Sequence, residues 1–131
     1  MSGDQRFRRS ERLRLRKDFA RVFAAKCSQA DGALVVYVAR NDLEWSRLGL
    51  SVSKRVGKAV RRNYVRRRIR EAFRNQKSEL PKGLDIICVA RPKAADARCE
   101  LAHSLRTLVI RAARGLAQDT NADRTQNPEA E

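Results

Sequence analysis

Apolar and polar positions alternate along this chain with two different periods, and the switches between them mark its elements. Leu15, Phe19, Val22 and Phe23 recur at helical spacing between Leu15 and Lys26, one stripe on an otherwise charged segment. After an Asp31–Gly32 turn signal comes Ala33–Arg40 (ALVVYVAR), dense in β-branched residues and read as a strand. Leu48, Leu50 and Val52 then alternate with Gly49, Ser51 and Ser53, the period of a half-buried strand. The Asn41–Arg47 connection is short, so an antiparallel hairpin of these two strands is expected. Val65, Ile69, Ala72 and Phe73 restore the helical period as a narrow apolar seam on a helix from about Ala59 to Gln76. Pro81–Lys82–Gly83 breaks the chain, Leu84–Ala90 (LDIICVA) reads as a buried strand, and Pro92 ends it. Leu101, Leu105, Leu108, Val109 and Ala112 form the apolar face of a last helix from about Asp96 to Leu116.

The order α-β-β-α-β-α predicts an α/β (α+β) two-layer sandwich, a small mixed sheet covered by helices, since strands joined through a helix run parallel. The 131 residues suit one domain with one core. Residues 12–116 are expected to form it, behind a basic, flexible arm at 1–11 and ahead of an acidic, disordered tail at 117–131. No run of about 18 apolar residues is present to span a membrane, and the N-terminal stretch lacks the apolar segment of a secretion signal. Three cysteines without a CxxC support neither a disulfide framework nor a zinc knuckle, and a cytoplasmic setting is expected.

Charge changes the picture more than composition does. The formal net charge is +15, from 30 Lys and Arg against 15 Asp and Glu. Residues 54–77 hold 11 basic side chains and one acid, Glu71; residues 1–26 hold 9 basic and 3 acidic ones. Blocks of this kind are binding surfaces for a polyanion rather than a solubility coat. With Ile69 as the centre of the buried seam, Asn63, Arg67, Arg70 and Arg74 fall roughly 100–160° away, one polar stripe facing outward. Arg66 lies at its border, and Arg61 and Arg68 on the opposite flank. The five arginines between Arg61 and Arg68 repel one another, and only Glu71 is interleaved at i±4, where a merely solvated helix would carry several glutamates. Guanidinium groups at such spacing bind phosphates in bidentate geometry. Nucleic acid is the expected partner, and charge alone does not choose between DNA and RNA.

The run from Ser51 to Phe73 resembles the signature of the bacterial ribonuclease P protein component. The signature core, R-N-x-(I/V)-(K/R)-R-x-x-R-E, is matched by Arg62, Asn63, Val65, Arg66, Arg67, Arg70 and Glu71. The preceding Gly49–Lys54 segment, Asp18-Phe19 with Val22-Phe23, and the strand holding Tyr37 match as well, so the resemblance covers about residues 12–115. It implies a protein that binds the catalytic ribonuclease P RNA and assists removal of the 5′ leader from precursor tRNA, leaving a 5′-phosphate on the tRNA. It also implies a left-handed β-α-β crossover around the arginine helix. Carried over by match, Lys54, Arg55, Lys58, Arg61, Arg62, Asn63, Arg66, Arg67, Arg70 and Arg74 would contact the RNA subunit. Phe19, Phe23 and Tyr37 would line a cleft for the single-stranded leader. Rings beside a cationic rim do suit unpaired nucleotides, but two Phe at i, i+4 fit an ordinary core equally well.

No catalytic constellation stands out in the chain itself. Ser51–Lys54 matches S-x-x-K without its partner motifs. Gly57-Lys58 lacks the rest of a phosphate-binding loop. His103 is the sole histidine and falls on the polar side of its helix, Cys88 reads as core, and Asp31, Asp42, Glu44, Asp85 and Asp96 are scattered. No metal site, bound cofactor, small-molecule substrate or membrane partner is expected; Mg2+ is expected with the RNA subunit. Two other readings stay open: a general or ribosomal RNA-binding protein without a processing role, and an autonomous nuclease.

Overall fold

The computed structural model describes residues 8–125. Its elements are α1 (Arg16–Ala24), β1 (Ser28–Ala30), β2 (Leu34–Arg40), β3 (Arg47–Ser51), α2 (Ala59–Gln76), β4 (Leu84–Ala90) and α3 (Leu101–Thr125), with single 3-10 turns between several of them. The four strands form one mixed sheet in the order β1-β2-β4-β3. β2 and β4 are antiparallel, with Tyr37 opposite Ile87, and β3 and β4 are parallel, with Gly49 opposite Ile87.

The expected hairpin is therefore not formed. β2 and β3 run in opposite directions as foreseen, but β4 lies between them. LDIICVA is apolar on both faces, and all of β4 except Val89 is buried. An edge position would leave half of that strand wet, so the later strand displaces the local pairing. β1, polar and only three residues long, carried no strand pattern and forms by pairing with β2 across the Asp31 turn. There the Asp31 carboxylate accepts the backbone N–H groups of Ala33 (2.8 Å) and Leu34 (2.9 Å).

Alternation along the strands divides the core between two faces. Leu34, Val36 and Val38 of β2, Leu48 of β3, and Leu84, Ile86 and Cys88 of β4 pack under α2 and α3. The seam expected on α2 (Val65, Ile69, Ala72, Phe73) is buried there, as are Leu101, Leu105, Leu108, Val109 and Ala112 of α3. This is the two-layer body. On the opposite face, α1 crosses the sheet over Ala39 and Ile87, with Leu13 and Val22 beneath it. α1 begins at Arg16, so Leu15 is its N-cap and stands 57% exposed rather than joining the stripe. α3 begins at Leu101 because Pro92–Ala95 and the Asp96 turn occupy the preceding residues. It continues past Leu116 to Thr125, because no proline interrupts the backbone ladder before Pro128. The rest of the expected tail, 126–131, and residues 1–7 of the expected arm lie outside the described residues. Residues 8–11 are held against the domain, with Glu11 bonded to the Lys77 ammonium (2.9 Å) and Ser10 accepting from Trp45 Nε1 (3.0 Å).

One buried charge ties the two faces together. The Asp85 side chain, fully buried in β4, accepts from Arg47 Nε (2.7 Å), Arg47 Nη2 (2.6 Å) and Asn41 Nδ2 (3.0 Å), and it pairs with Arg21 of α1. Burial pushes this carboxyl upward, but hydrogen bonds from Arg47 and Asn41 and the charges of Arg47 and Arg21 outweigh it and leave it below the usual aspartate range. A depressed carboxyl stabilises the fold above its unfolded value, and that contribution is lost as pH falls through the folded value. Asp85→Asn should thus cost about 2–3 kcal/mol at neutral pH. Denaturant titrations at descending pH should show the gap between variant and parent narrowing once acid protonates Asp85; a gap independent of pH would refute this role.

Candidate nucleic-acid interface

The basic helix is launched by a glycine. Gly57 has φ +142°, and a Cβ there would come within 2.5 Å of Arg61 Cδ. Its position lets the chain leave the Lys54–Val56 turn and enter α2 with Lys58 as N-cap. Lys54, Arg55 and Lys58 are exposed around this helix start, where the free backbone N–H groups and helix dipole already favour an anion. Arg62 Nε donates to the Gly57 carbonyl (3.2 Å), so that guanidinium also braces the helix entry.

Along α2 the arginines divide by flank. Arg66 Nη1 donates to Asn63 Oδ1 (2.8 Å). Arg66 and Arg70 lean toward the N-terminal segment, where they meet Arg12 and Arg14. Burial, then the charges of Arg12 and Arg66, push the Arg70 guanidinium below the ordinary arginine value. These cations crowd one another, a condition that a phosphate would relieve. Arg67 is exposed on the crest, and Arg74 is half-buried a turn beyond Arg70. Arg61 lies on the other flank, where Lys58, Val60, Tyr64 and Ala95 join it around a separate groove of about 630 Å³. Arg68, also on that flank, donates to the carbonyls of Ala94, Asp96 and Cys99 and so fastens α2 to the segment before α3. The predicted residues thus do not form one patch: Asn63, Arg66, Arg67 and Arg70 gather, and Arg61 stands apart.

A groove of about 300 Å³ joins α2 to α1. Arg12, Arg14, Arg66 and Arg70 form its rim, and Leu13, Phe19, Gly49 and Leu50 are among the residues beneath. Gly49 makes it possible, because a Cβ there would lie 2.6 Å from Phe19 Cζ and 3.2 Å from Leu13 Cβ. From Phe19 the aromatic path continues to Phe23 (centroids 6.3 Å apart) and on to Tyr37, which Phe23 meets edge-on at 4.8 Å. Phe19 is half-buried, whereas Phe23 is 37% exposed, so the pair combines core and surface character. Next to them Val35, Val89 and Ser51, aligned across three strands, remain half-buried where α1 does not reach.

Arg12 and Arg14 were not picked out from the sequence. Their signal was the alternation Arg12-Leu13-Arg14-Leu15, which reads as extended chain; Leu13 is buried and its N–H donates to the Leu48 carbonyl at 2.9 Å. His103 is exposed, and burial pushes the Cys88 thiol up to about 12. Among the described residues no three His, Cys, Asp or Glu side chains gather where they could hold a metal ion.

A family model described as Ribonuclease P matches residues 7–113. The chain belongs to the ribonuclease P protein family. The ribonuclease P protein component of Thermotoga maritima is 44% identical over 90 residues, 69% of this chain and 77% of the relative. That of Clostridioides difficile is 41% identical over 107 residues, covering 80% and 94%. Among solved structures, the RNase P protein of Staphylococcus aureus superposes with a TM-score of 0.69 at 38% identity, covering 79% of this chain and 95% of the other. The Thermotoga maritima RNase P protein gives 0.64 at 38%, covering 76% and 92%. A four-stranded mixed sheet with three helices is thus the ribonuclease P protein fold, and the arginine helix and aromatic cleft are features of this family member.

Gly49→Ala tests how the groove floor is built. The added methyl must displace Phe19, and unfolding measurements should show a loss of about 1–2 kcal/mol. Adding Phe19→Leu should recover part of it. Full parental stability in the single variant would contradict the close approach.

Proposed function

We propose that the chain is the protein subunit of ribonuclease P, holding the RNA subunit on α2 and the 5′ leader of precursor tRNA in the cleft between α1 and the sheet. The reading is carried by one observation: the cationic groove of Arg12, Arg14, Arg66 and Arg70 opens onto Phe19, from which ring contacts lead to Phe23 and Tyr37. Phosphates of structured RNA suit the first part, and unpaired bases that stack on rings suit the second. Lys54, Arg55 and Lys58 extend the phosphate surface at the helix start, and Arg61 and Arg74 would reach it from the flanks.

The chain acts in the cytoplasm as the non-catalytic partner in this scheme. Hydrolysis of the leader–tRNA bond, and the Mg2+ that it needs, reside with the RNA. The protein's share is electrostatic and positional: its cations offset repulsion between RNA strands, and its cleft adds contacts made by precursor but not by mature tRNA. Small molecules and membranes have no part in it.

Phe23→Ala probes the cleft with little demand on the core, since Phe23 is 37% exposed. Titration of the RNA–protein complex should show precursor affinity falling by about tenfold, the scale of one lost base–ring stack, with mature tRNA affinity unchanged. In the same assay, Arg66→Gln, Arg67→Gln and Arg70→Gln together should lower the slope of log K against log[salt] for the RNA subunit by roughly 2–3. Equal loss for both tRNAs, or an unchanged slope, would overturn the respective assignment. Equal affinity for unrelated structured RNAs would favour a general RNA-binding module.

A further inference from the structure

α3 presents a second cationic face that the arginine helix does not include. With Leu101, Leu105, Leu108, Val109 and Ala112 turned to the sheet, helical phase places His103, Thr107, Ile110, Arg111 and Arg114 outward. Together with Arg106 they line a shallow groove of about 440 Å³. Arg106 pairs with Glu79 at 3.1 Å, but both side chains are more than half exposed, so the pair is weak. Arg111 and Arg114 are exposed and have no acidic partner among the described residues. From Arg106 to Arg114 the helix rises by about 12 Å, enough for several phosphates to lie along it.

We infer that this outward face of α3 is a second RNA-docking surface, taking phosphates of a duplex element of the RNA subunit. The inference rests on the RNA-subunit reading above for the identity of the partner. Charge complementarity selects a polyanion. The leader is excluded by position, because α3 lies on the sheet face opposite α1, Phe23 and Tyr37. Single-stranded RNA is disfavoured because the groove holds no Phe, Tyr or Trp platform for successive bases; beside the lone His103 imidazole it offers three guanidinium groups, the Thr107 hydroxyl and the Ile110 side chain. Those groups suit backbone recognition, which leaves duplex RNA held by its phosphates.

Arg111→Gln with Arg114→Gln is the test, since glutamine keeps helix propensity and neither side chain enters the core. Circular dichroism and thermal unfolding should match the parent. Binding to ribonuclease P RNA at low salt should weaken by about tenfold, and the log K against log[salt] slope should drop by roughly 1.4–1.8, two phosphates' worth. Preference for precursor over mature tRNA should not change. Unchanged affinity and slope in this variant, while the triple α2 variant lowers the slope, overturns the α3 surface and leaves the α2 reading intact. A drop in the α3 variant alone sustains the second surface and removes the α2 assignment. If neither variant moves the slope, both fall.

Discussion

β4 must be dry on both faces, and most of the architecture follows from that. A strand reading LDIICVA is stable only at the centre of a sheet covered above and below, so β2 and β3 are driven to its two sides. One face then receives α2 and α3 with their long apolar seams. The other receives α1, a nine-residue helix too short to cover the sheet, so the row of Val35, Val89 and Ser51 stays partly open beside it. The single charge placed in this strand, Asp85, is compatible with burial because Arg47, Asn41 and Arg21 converge on it from β3, a loop and α1. That convergence also fixes where α1 lies, and hence where the aromatic path of Phe19, Phe23 and Tyr37 runs.

Like charges concentrated on one helix would ordinarily oppose folding, and the arginines of α2 meet that cost in different ways. Arg68 is satisfied by three backbone carbonyls and acts as a fastening, and Arg62 braces the turn at Gly57. Arg66 donates to the Asn63 side chain but stands, with Arg70, beside Arg12 and Arg14 in a crowded cationic cluster. In the proposed complex, phosphates would remove part of that repulsion on binding. Arg62 and Arg68 thus set the helix in place, and Arg66 and Arg70 line the groove proposed as the interface.

Local periodicity made the helices legible. Val65, Ile69 and Phe73 identify the buried side of α2 at once, and phase alone places Arg68 on the flank away from Arg70, which is where the carbonyls of the following segment meet it. The strand neighbours were not legible, since Asn41–Arg47 looks like a hairpin turn and the competing β4 begins 33 residues after β3 ends. Arg12 and Arg14 were hidden for a related reason: their placement depends on the Arg12–Leu48 bridge and the Leu13 N–H donating to the Leu48 carbonyl, contacts with no local signature. Gly49 showed as a polar-side residue of a strand; that its missing Cβ admits Phe19 is a fact of packing across elements. The resemblance to the ribonuclease P protein signature bridged part of this gap, because order along the chain carries information that pairing energies alone do not reveal.

The division of labour proposed for this chain places recognition on the protein and chemistry on the RNA. Cleavage of precursor tRNA at low Mg2+, compared for ribonuclease P RNA alone, this chain alone, and the two together, tests it most directly. The account predicts efficient release of the leader only when both are present, and none from the chain by itself. Leader release by the chain alone, free of RNA, would contradict it.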